Sequence, residues 1–523
     1  MIELNLQQRV DKLFESALAR TANQPGLKNF HQLLQQCQQQ LHQPMRVAIV
    51  GLIKAGKSTM MNALLGEDIV ATGNVEATFN VNFLRYGEKP SLLVHFKDNR
   101  PAEAKSFEQL AALTLRADSN SDYLLNIKYI EVFCPNQILK TFNLIDTPGL
   151  LSYYKDDSEN TLDFLQLHGE ELTNVTKTEA QGADAVLYLF SNSLATEDKE
   201  IVEMFQGIAL GQATPINTIG VLTKVDNYWS DPKVSEPMEA ANKICHRLSL
   251  HPQVRNIFYT IYPICGLLAL GAQTLTKDEW QILLQLADIP EDRMDKLIRN
   301  VQRFCDREYP DVPISKNQRH KVFKRLGQYG VWLAYSLIRS GTKNQAQFVQ
   351  QLLQHSGITQ LRDLILSHFG HRAFLIKLGN VLRQVDIACF QQKQHLQGEL
   401  RQIVEEIGGH FEALKIQEHG FAELQVLRNY YDKKLDFDNQ ELQHLLQVTG
   451  EFGTSCGERL GLDQSATINE MIPVAQEKMH YWQQRASDSW GSNRKSIAAA
   501  SILARSYEII LYRILKAKEY LYF

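Results

Sequence analysis

The sequence predicts an α/β domain, a mostly parallel sheet covered by helices, joined to an all-α antiparallel helical bundle built from the N- and C-terminal segments. Two observations divide the chain in this way. Proline removes a helical hydrogen bond and collides with the preceding turn, and it is confined to the first part: of fifteen prolines only Pro473 lies beyond Pro313. Short apolar runs of strand length alternate with helical patterns up to about residue 270, after which helical periodicity takes over.

Residues 1–45 read as two helices that join the bundle. Leu4, Val10, Leu13, Phe14 and Leu18 line one side of the first, and the glutamine-rich HQLLQQCQQQLHQ forms the second, ending at Pro44. Residues 46–370 read as the α/β domain. MRVAIVG is a buried strand, a glycine-rich turn follows, and STMMNALLG opens a helix. Further strands are predicted at VNFLRYG, SLLVHF, NIKYIEVF, TFNLIDTPG, ADAVLYLF, NTIGVLTK and NIFYTIYPI, and their alternation with helices argues for parallel pairing. EWQILLQLADI, RMDKLIRNVQRF and YGVWLAYSLIR mark a helical insertion at about 271–355. SGITQLRDLILSHFG, with a serine cap and a stop near Gly370, is the last helix of this domain.

Residues 371–523 read as the bundle or stalk. Leu378, Val381, Val385, Leu396, Leu400, Ile403, Ile407, Phe411 and Leu414 recur mostly at three- and four-residue steps, which predicts one amphipathic helix roughly 60 Å long. A second helix from about 417 to 451 runs back along it, EFGTSCGERLGLDQS is a loop, and helices around Pro473 and from about 487 to 523 complete the bundle.

Composition narrows the function. With 523 residues, 44% hydrophobic and 22% charged, the chain has the make-up of a soluble globular protein of several folding units. Lysine plus arginine (55) nearly balances aspartate plus glutamate (59), which removes the positive field expected of a nucleic-acid binder. The seven cysteines form no CxxC pair and no metal spacing with histidine, so they read as reduced structural thiols. The N-terminus lacks the basic head and apolar run of a secretory signal, and no apolar stretch reaches the ~18 residues of a membrane span. A cytoplasmic location is expected, with any membrane contact made from the surface.

The chemistry is carried by three motifs. Gly51-Leu-Ile-Lys54-Ala55-Gly56-Lys57-Ser58 follows a strand and opens a helix, as a phosphate loop does. Its amides wrap the β-phosphate, Lys57 reaches the β- and γ-phosphates, and the Ser58 hydroxyl ligates Mg²⁺. Ala55 and Thr59 belong to the same nucleotide cradle. Asp146-Thr-Pro-Gly149 ends a strand, so that Asp146 can hold Mg²⁺ through water and the Gly149 amide can face the γ-phosphate. Thr223-Lys224-Val-Asp226 ends another. The Asp226 carboxylate accepts from the guanine N1 and N2 donors that adenine lacks, and Lys224 lies along the base. That choice of base assigns GTP and GDP, with Mg²⁺, as the cofactors. Pro263-Ile-Cys265-Gly266 is the loop placed to meet guanine O6. A threonine that binds Mg²⁺ and orders on the γ-phosphate is expected in between: Thr78 first, Thr72 second. Leu150 follows Gly149, so the glutamine that orients water in Ras-type enzymes is absent from its usual place.

GLIKAGKSTMMNALLG, ATFNVNFLRYG, DTPGL and LTKVD together resemble the GTPase domain of the dynamin superfamily, in its bacterial dynamin-like branch, from about 46 to 270. SGITQLRDLILSHFGHRAFLIKL and EHGFAELQVLR extend the resemblance more loosely toward relatives of the isoniazid-inducible type. The resemblance implies a large GTPase that dimerises through its nucleotide faces, alone or with a paralogue, stimulates its own hydrolysis and acts on membranes through its helical stalk. Eukaryotic dynamins carry serine at the position of Lys54, where it helps to bind a charge-compensating monovalent cation. Two readings of Lys54 therefore stand: its ammonium supplies that charge, with Lys57 and Thr78, as part of the catalytic apparatus, or it is a solvent-facing lysine. No pleckstrin-type domain, proline-rich tail or transmembrane paddle fits in this length.

The basic and aromatic helix RKSIAAASILARSYEIILYRILKAKEYLYF suits an anionic lipid surface, and equally a bundle helix packed by one face against residues 1–42. The expected function is a dynamin-like GTPase that couples self-assembly to membrane remodelling or tethering. The alternative is a GTP switch that never assembles and acts on a protein or ribosomal partner.

Overall fold

In a computed structural model of the chain, the structure describes residues 6–51, 55–70, 81–98, 100–114, 121–147, 183–191, 217–230, 236–255, 257–431, 434–463, 465–487 and 493–521. Two compact units result: Arg46–Leu364, and Met1–Met45 together with Ile365–Phe523.

The Arg46–Leu364 unit is organised by a sheet with nine strands among the described residues: β1 (Met45–Gly51), β2 (Val81–Tyr86), β3 (Ser91–Phe96), β4 (Glu103–Lys105), β5 (Ile127–Cys134), β6 (Phe142–Asp146), β7 (Ala185–Ser191), β8 (Thr218–Thr223) and β9 (Thr260–Pro263). Their spatial order is β4-β3-β5-β2-β6-β1-β7-β8-β9. β1, β7, β8 and β9 pair in parallel. Burial of β7 and β8 along almost their whole length explains their unbroken apolar runs.

The other half of the sheet is mixed rather than uniformly parallel. β2 is antiparallel to β6 and parallel to β5, and β3 is antiparallel to both β5 and β4. Here β5 alternates buried Ile130, Val132 and Cys134 with partly exposed Tyr129, Glu131 and Phe133, the signature of a sheet covered on one side. β4, only Glu-Ala-Lys, carries no strand pattern in its sequence. The predicted strand NIFYTIYPI contracts to β9.

The segment from 277 to 356 is helical. Helices Lys277–Leu286, Glu291–Ile298, Val301–Asp306, Lys316–Arg339 and Gln345–Ser356 share one apolar core with Gly266–Gln273, including Leu283, Met294, Phe304, Leu326 and Phe348. Capping boxes at Thr276/Glu279 and Ser315/Gln318 fix two of the helix starts. Arg319 is fully buried, without an acidic partner in hydrogen-bond contact among the described residues. Its guanidinium donates instead to the carbonyls of Phe304 (2.7 Å), Ile314 (2.6 Å) and Arg307, tying the end of helix Val301–Asp306 and the segment at Ile314 to its own helix.

In the second unit, α1 (Leu6–Thr21) and α2 (Lys28–His42) pack with helices Ala373–His395 and Gly398–Gln417 around Phe14, Leu34, Leu382, Val404 and Phe411, and Phe14 meets Phe411 edge-on at 4.9 Å. The single long helix predicted from the apolar stripe is therefore two helices folded back on each other. Leu396 and Gln397 are extended and Gly398 takes φ +60°, a left-handed value that reverses the chain. The stripe itself is real, because both arms bury it against the same partners.

The predicted 417–451 helix likewise divides, into His419–Tyr431 and Asn439–Val448, the latter begun by an Asp438/Glu441 capping box. Within the expected 452–465 loop lies a short helix, Cys456–Leu460. The C-terminal helix Arg494–Leu521 packs chiefly on Ile468–Ser487 and His419–Tyr431, not on residues 1–42. No helix among the described residues is long and apolar enough to cross a membrane.

Candidate functional site

The site grows from the C-terminal ends of β1, β6, β8 and β9. β1 runs buried to Gly51, where a Cβ would sit 2.5 Å from the Leu189 carbonyl of β7, so only glycine fits. Gly56 takes φ +85°, and α3 (Lys57–Leu65) begins immediately after it. This strand, turn and helix turn the first amides of α3, with their positive dipole end, toward whatever occupies the turn. The far end of α3 is fixed by Arg362, which donates to the carbonyls of Leu64 (2.6 Å) and Ala63 (3.3 Å), a cation set on the negative end of the helix.

Lys57, the first residue of α3, is buried with its Nζ 3.4 Å from the Gly51 carbonyl. Asp146, at the end of β6, is fully buried. Burial pushes the Asp146 carboxyl up to about 6 against the pull of Lys57 and of a hydrogen bond from Asn82. Burial lowers the Lys57 ammonium to about 8 against the attraction of Asp146. Each partner is thus held short of full ionic comfort. Asp146 Oδ1 has no hydrogen-bond partner among the described residues. An orphaned, buried carboxylate oxygen fits a magnesium ion, which takes few protein carboxylates and completes its shell with water and phosphate. Among the described residues no three His, Cys, Asp or Glu side chains gather as an all-protein metal cage.

The base-side motif is tied to the phosphate side by one bond. The Thr223 hydroxyl, at the end of β8, donates to the Ala55 carbonyl at 2.7 Å and lies 3.1 Å from the Phe190 carbonyl. Thr223 is buried, and its side chain braces the phosphate loop. Thr147 makes a matching bond to the Ile49 carbonyl at 2.7 Å. Lys224 is exposed and takes φ +56°, a left-handed value that costs a non-glycine residue about 1 kcal/mol or more.

Asp226 is half-buried, and its carboxyl is raised by burial while a hydrogen bond from the Cys265 thiol opposes the rise. Cys265 reaches the site through this thiol and not through its amide, which donates to the Ser356 carbonyl at 2.8 Å. A Cβ on Gly266 would lie 3.6 Å from Thr59, so the base loop abuts the phosphate helix. Gly51, Ala55, Gly56, Lys57, Ser58, Thr59, Asp146, Thr223, Asp226 and Cys265 are thereby joined through neighbouring strand ends. Lys54, Thr72, Thr78, Gly149 and Leu150 lie outside the described residues.

Three contributors were not anticipated from the sequence. Asn82 donates to Asp146, Thr147 braces β1, and Gly327 of the insertion comes so close that a Cβ there would lie 3.7 Å from Asp226 Oδ2. A polar residue inside the strand pattern VNFLRY was the one available signal, for Asn82.

Fold and site define a class: a phosphate-loop α/β domain that holds a nucleotide across the carboxyl ends of its strands. Residues 47–225 match the model of the Dynamin family, and the chain carries a domain of that family. It is similar over 447 residues to isoniazid-induced protein IniC of Mycobacterium tuberculosis, at 28% identity and covering 86% of both chains. It is also similar to dynamin-like protein 2 of Campylobacter jejuni, 35% identical over 130 residues, which cover 25% of this chain and 20% of that one. A solved structure described as "an oligomerised bacterial dynamin pair" that "provides a mechanism for the long range sensing and tethering of membranes" aligns at a TM-score of 0.31 and 15% identity, covering 97% of this chain and 90% of that chain. A domain matching the Dynamin family implies guanine-nucleotide binding.

Proposed function

We propose that the protein is a dynamin-like GTPase that hydrolyses GTP to GDP and phosphate and couples dimerisation or further self-assembly to membrane remodelling or tethering. One observation carries the nucleotide half of this reading. The Thr223 to Ala55 hydrogen bond makes the phosphate loop and the base-reading motif parts of a single rigid frame, so a triphosphate and its base can be gripped at once. In that frame the amides of Ala55 to Thr59 and the Lys57 ammonium bind the β- and γ-phosphates, the Gly149 amide faces the γ-phosphate, and Asp226 selects guanine with Lys224 along the base.

Ser58, Thr78 and Asp146 are the residues that would hold magnesium. When bound, the ion neutralises charge that builds on the phosphate oxygens during transfer. Lys54 adds a further positive charge to the phosphate loop, and no glutamine follows Gly149 to orient water. The assembly and membrane half rests on kinship with dynamin-like proteins, whose resemblance implies face-to-face dimers of the nucleotide domain and a helical part that meets lipid.

Turnover per molecule, measured across protein concentrations with and without anionic liposomes, tests both halves. The reading expects specific turnover to climb several-fold with concentration and again with lipid. A rate per molecule that stays flat in both titrations would remove assembly and membrane from the function and leave a solitary switch.

A further inference from the structure

Among the described residues of the Arg46–Leu364 unit four asparagines are buried, and three of them use their amides as structural asparagines do. Asn62 is saturated: its Nδ2 donates to Asp68 Oδ1 (2.8 Å) and the Val70 carbonyl (2.7 Å), while its Oδ1 accepts from the amides of Ile69 (3.0 Å) and Val70 (2.8 Å). Asn136 Oδ1 accepts from the Ile138 amide, and Asn217 Oδ1 from the Thr218 hydroxyl. Asn82 differs. It is 1% exposed, and its Nδ2 makes a long 3.4 Å bond to Asp146 Oδ2. Its Oδ1 has no partner among the described residues, and neither does Oδ1 of Asp146.

A buried amide left half-satisfied is less stable than one fully paired. An apolar residue at this strand position would avoid that cost, so local stability does not account for the asparagine. The register accounts for where it points. Asn82 and Asp146 are directly opposed on antiparallel β2 and β6, so their side chains share one face of the sheet, and each carries an oxygen without a partner among the described residues. Two fixed acceptors with nothing to accept are suited to the hydrogens of water molecules around a cation.

We propose that Asn82 is a positioning residue of the magnesium site: its amide orients the Asp146 carboxylate, and its Oδ1 supplies a second acceptor to the water shell of the ion. The proposal rests on the nucleotide reading above. It assigns to the start of β2, just after the segment that carries Thr78, a part in organising the metal. Partners that hold a metal-directed group in place typically change metal affinity by about ten- to a hundredfold.

The test measures GDP affinity of the full chain with Mg²⁺ and with EDTA, in the wild type and in Asn82→Leu, a substitution close in size that removes both polar atoms. The proposal expects the Mg²⁺ enhancement of GDP affinity to fall about tenfold, while affinity in EDTA stays within twofold of the wild type. Equal enhancement in the two proteins overturns it. If Asn82→Leu has lost GDP binding in EDTA, and so has not folded, Asn82→Thr takes its place: its shorter hydroxyl is expected to lower the enhancement in the same direction, and an unchanged enhancement there also overturns the proposal. A wild type that binds no GDP under either condition would defeat the nucleotide reading itself, which keeps the two failures apart.

Discussion

Lys57 is asked to be charged in a place that resists charge. Burial lowers its ammonium to about 8, and the facing Asp146 only partly offsets this. A triphosphate laid against the loop reverses the balance, because two or more negative oxygens at contact distance favour the cation. The bound-state pKa must then exceed the free-state one, so the complex holds more protons than the free protein at mildly alkaline pH. At pH 8, where about half of the free lysines are neutral, nucleotide binding is expected to take up about half a proton per site. Calorimetry in two buffers of different ionisation enthalpy checks this. Asp146, raised to about 6, is already ionised at that pH and contributes little.

The base end carries its own prediction. Asp226→Asn replaces one of two acceptors by a donor, and hydrogen bonds to a charged group are worth about 1.5–3 kcal/mol each. GTP affinity is expected to drop roughly a hundredfold or more, while xanthosine triphosphate, which offers an acceptor where guanine has a donor, should bind better than to the wild type. Competition binding with the two nucleotides reads this out.

Among elements, the insertion offers the sharpest case of one side chain holding several segments. Arg319→Met would keep much of the volume but leave the carbonyls of Phe304, Ile314 and Arg307 without their donor. An unsatisfied buried acceptor costs roughly 1–3 kcal/mol, so a loss of about 3 kcal/mol or more is expected in denaturant unfolding, against about 0.5 kcal/mol for an exposed control such as Arg401→Met.

Elements were legible in the sequence wherever a local rule decides them. β1, β7 and β8 are buried on both faces and show as apolar runs, and the glycine turn before α3 shows as the phosphate motif. Where partners decide, the sequence was silent or misleading. The stripe from Leu378 to Leu414 is equally consistent with one helix or with a hairpin, since both arms bury the same face, and only the left-handed Gly398 chooses. β4 exists because β3 offers it an edge, and nothing in Glu-Ala-Lys announces that. The antiparallel setting of β2 and β6, which brings Asn82 against Asp146, is a matter of sheet order and cannot be read from either strand alone. Thr223 was legible as part of the motif, yet its bond to Ala55 was not, because it spans 168 residues of sequence.

At the scale of the whole molecule, the near balance of 55 basic and 59 acidic residues leaves no general field to draw an anion in. In the proposed reading, recognition of a triphosphate comes from the local set at the strand ends, and discrimination of its base from Asp226 and the loop around Cys265. Everything assigned to the second unit, whose α1 and α2 share a core with the helices of residues 373–417, depends on that nucleotide being the energy source. The most direct measurement is therefore calorimetric titration of the full chain with GDP and with ADP, each with Mg²⁺. The account predicts a guanine preference of about a hundredfold or more, the difference made by two bonds to one carboxylate. Equal affinities for the two nucleotides, in a protein that is folded and binds both, would contradict it.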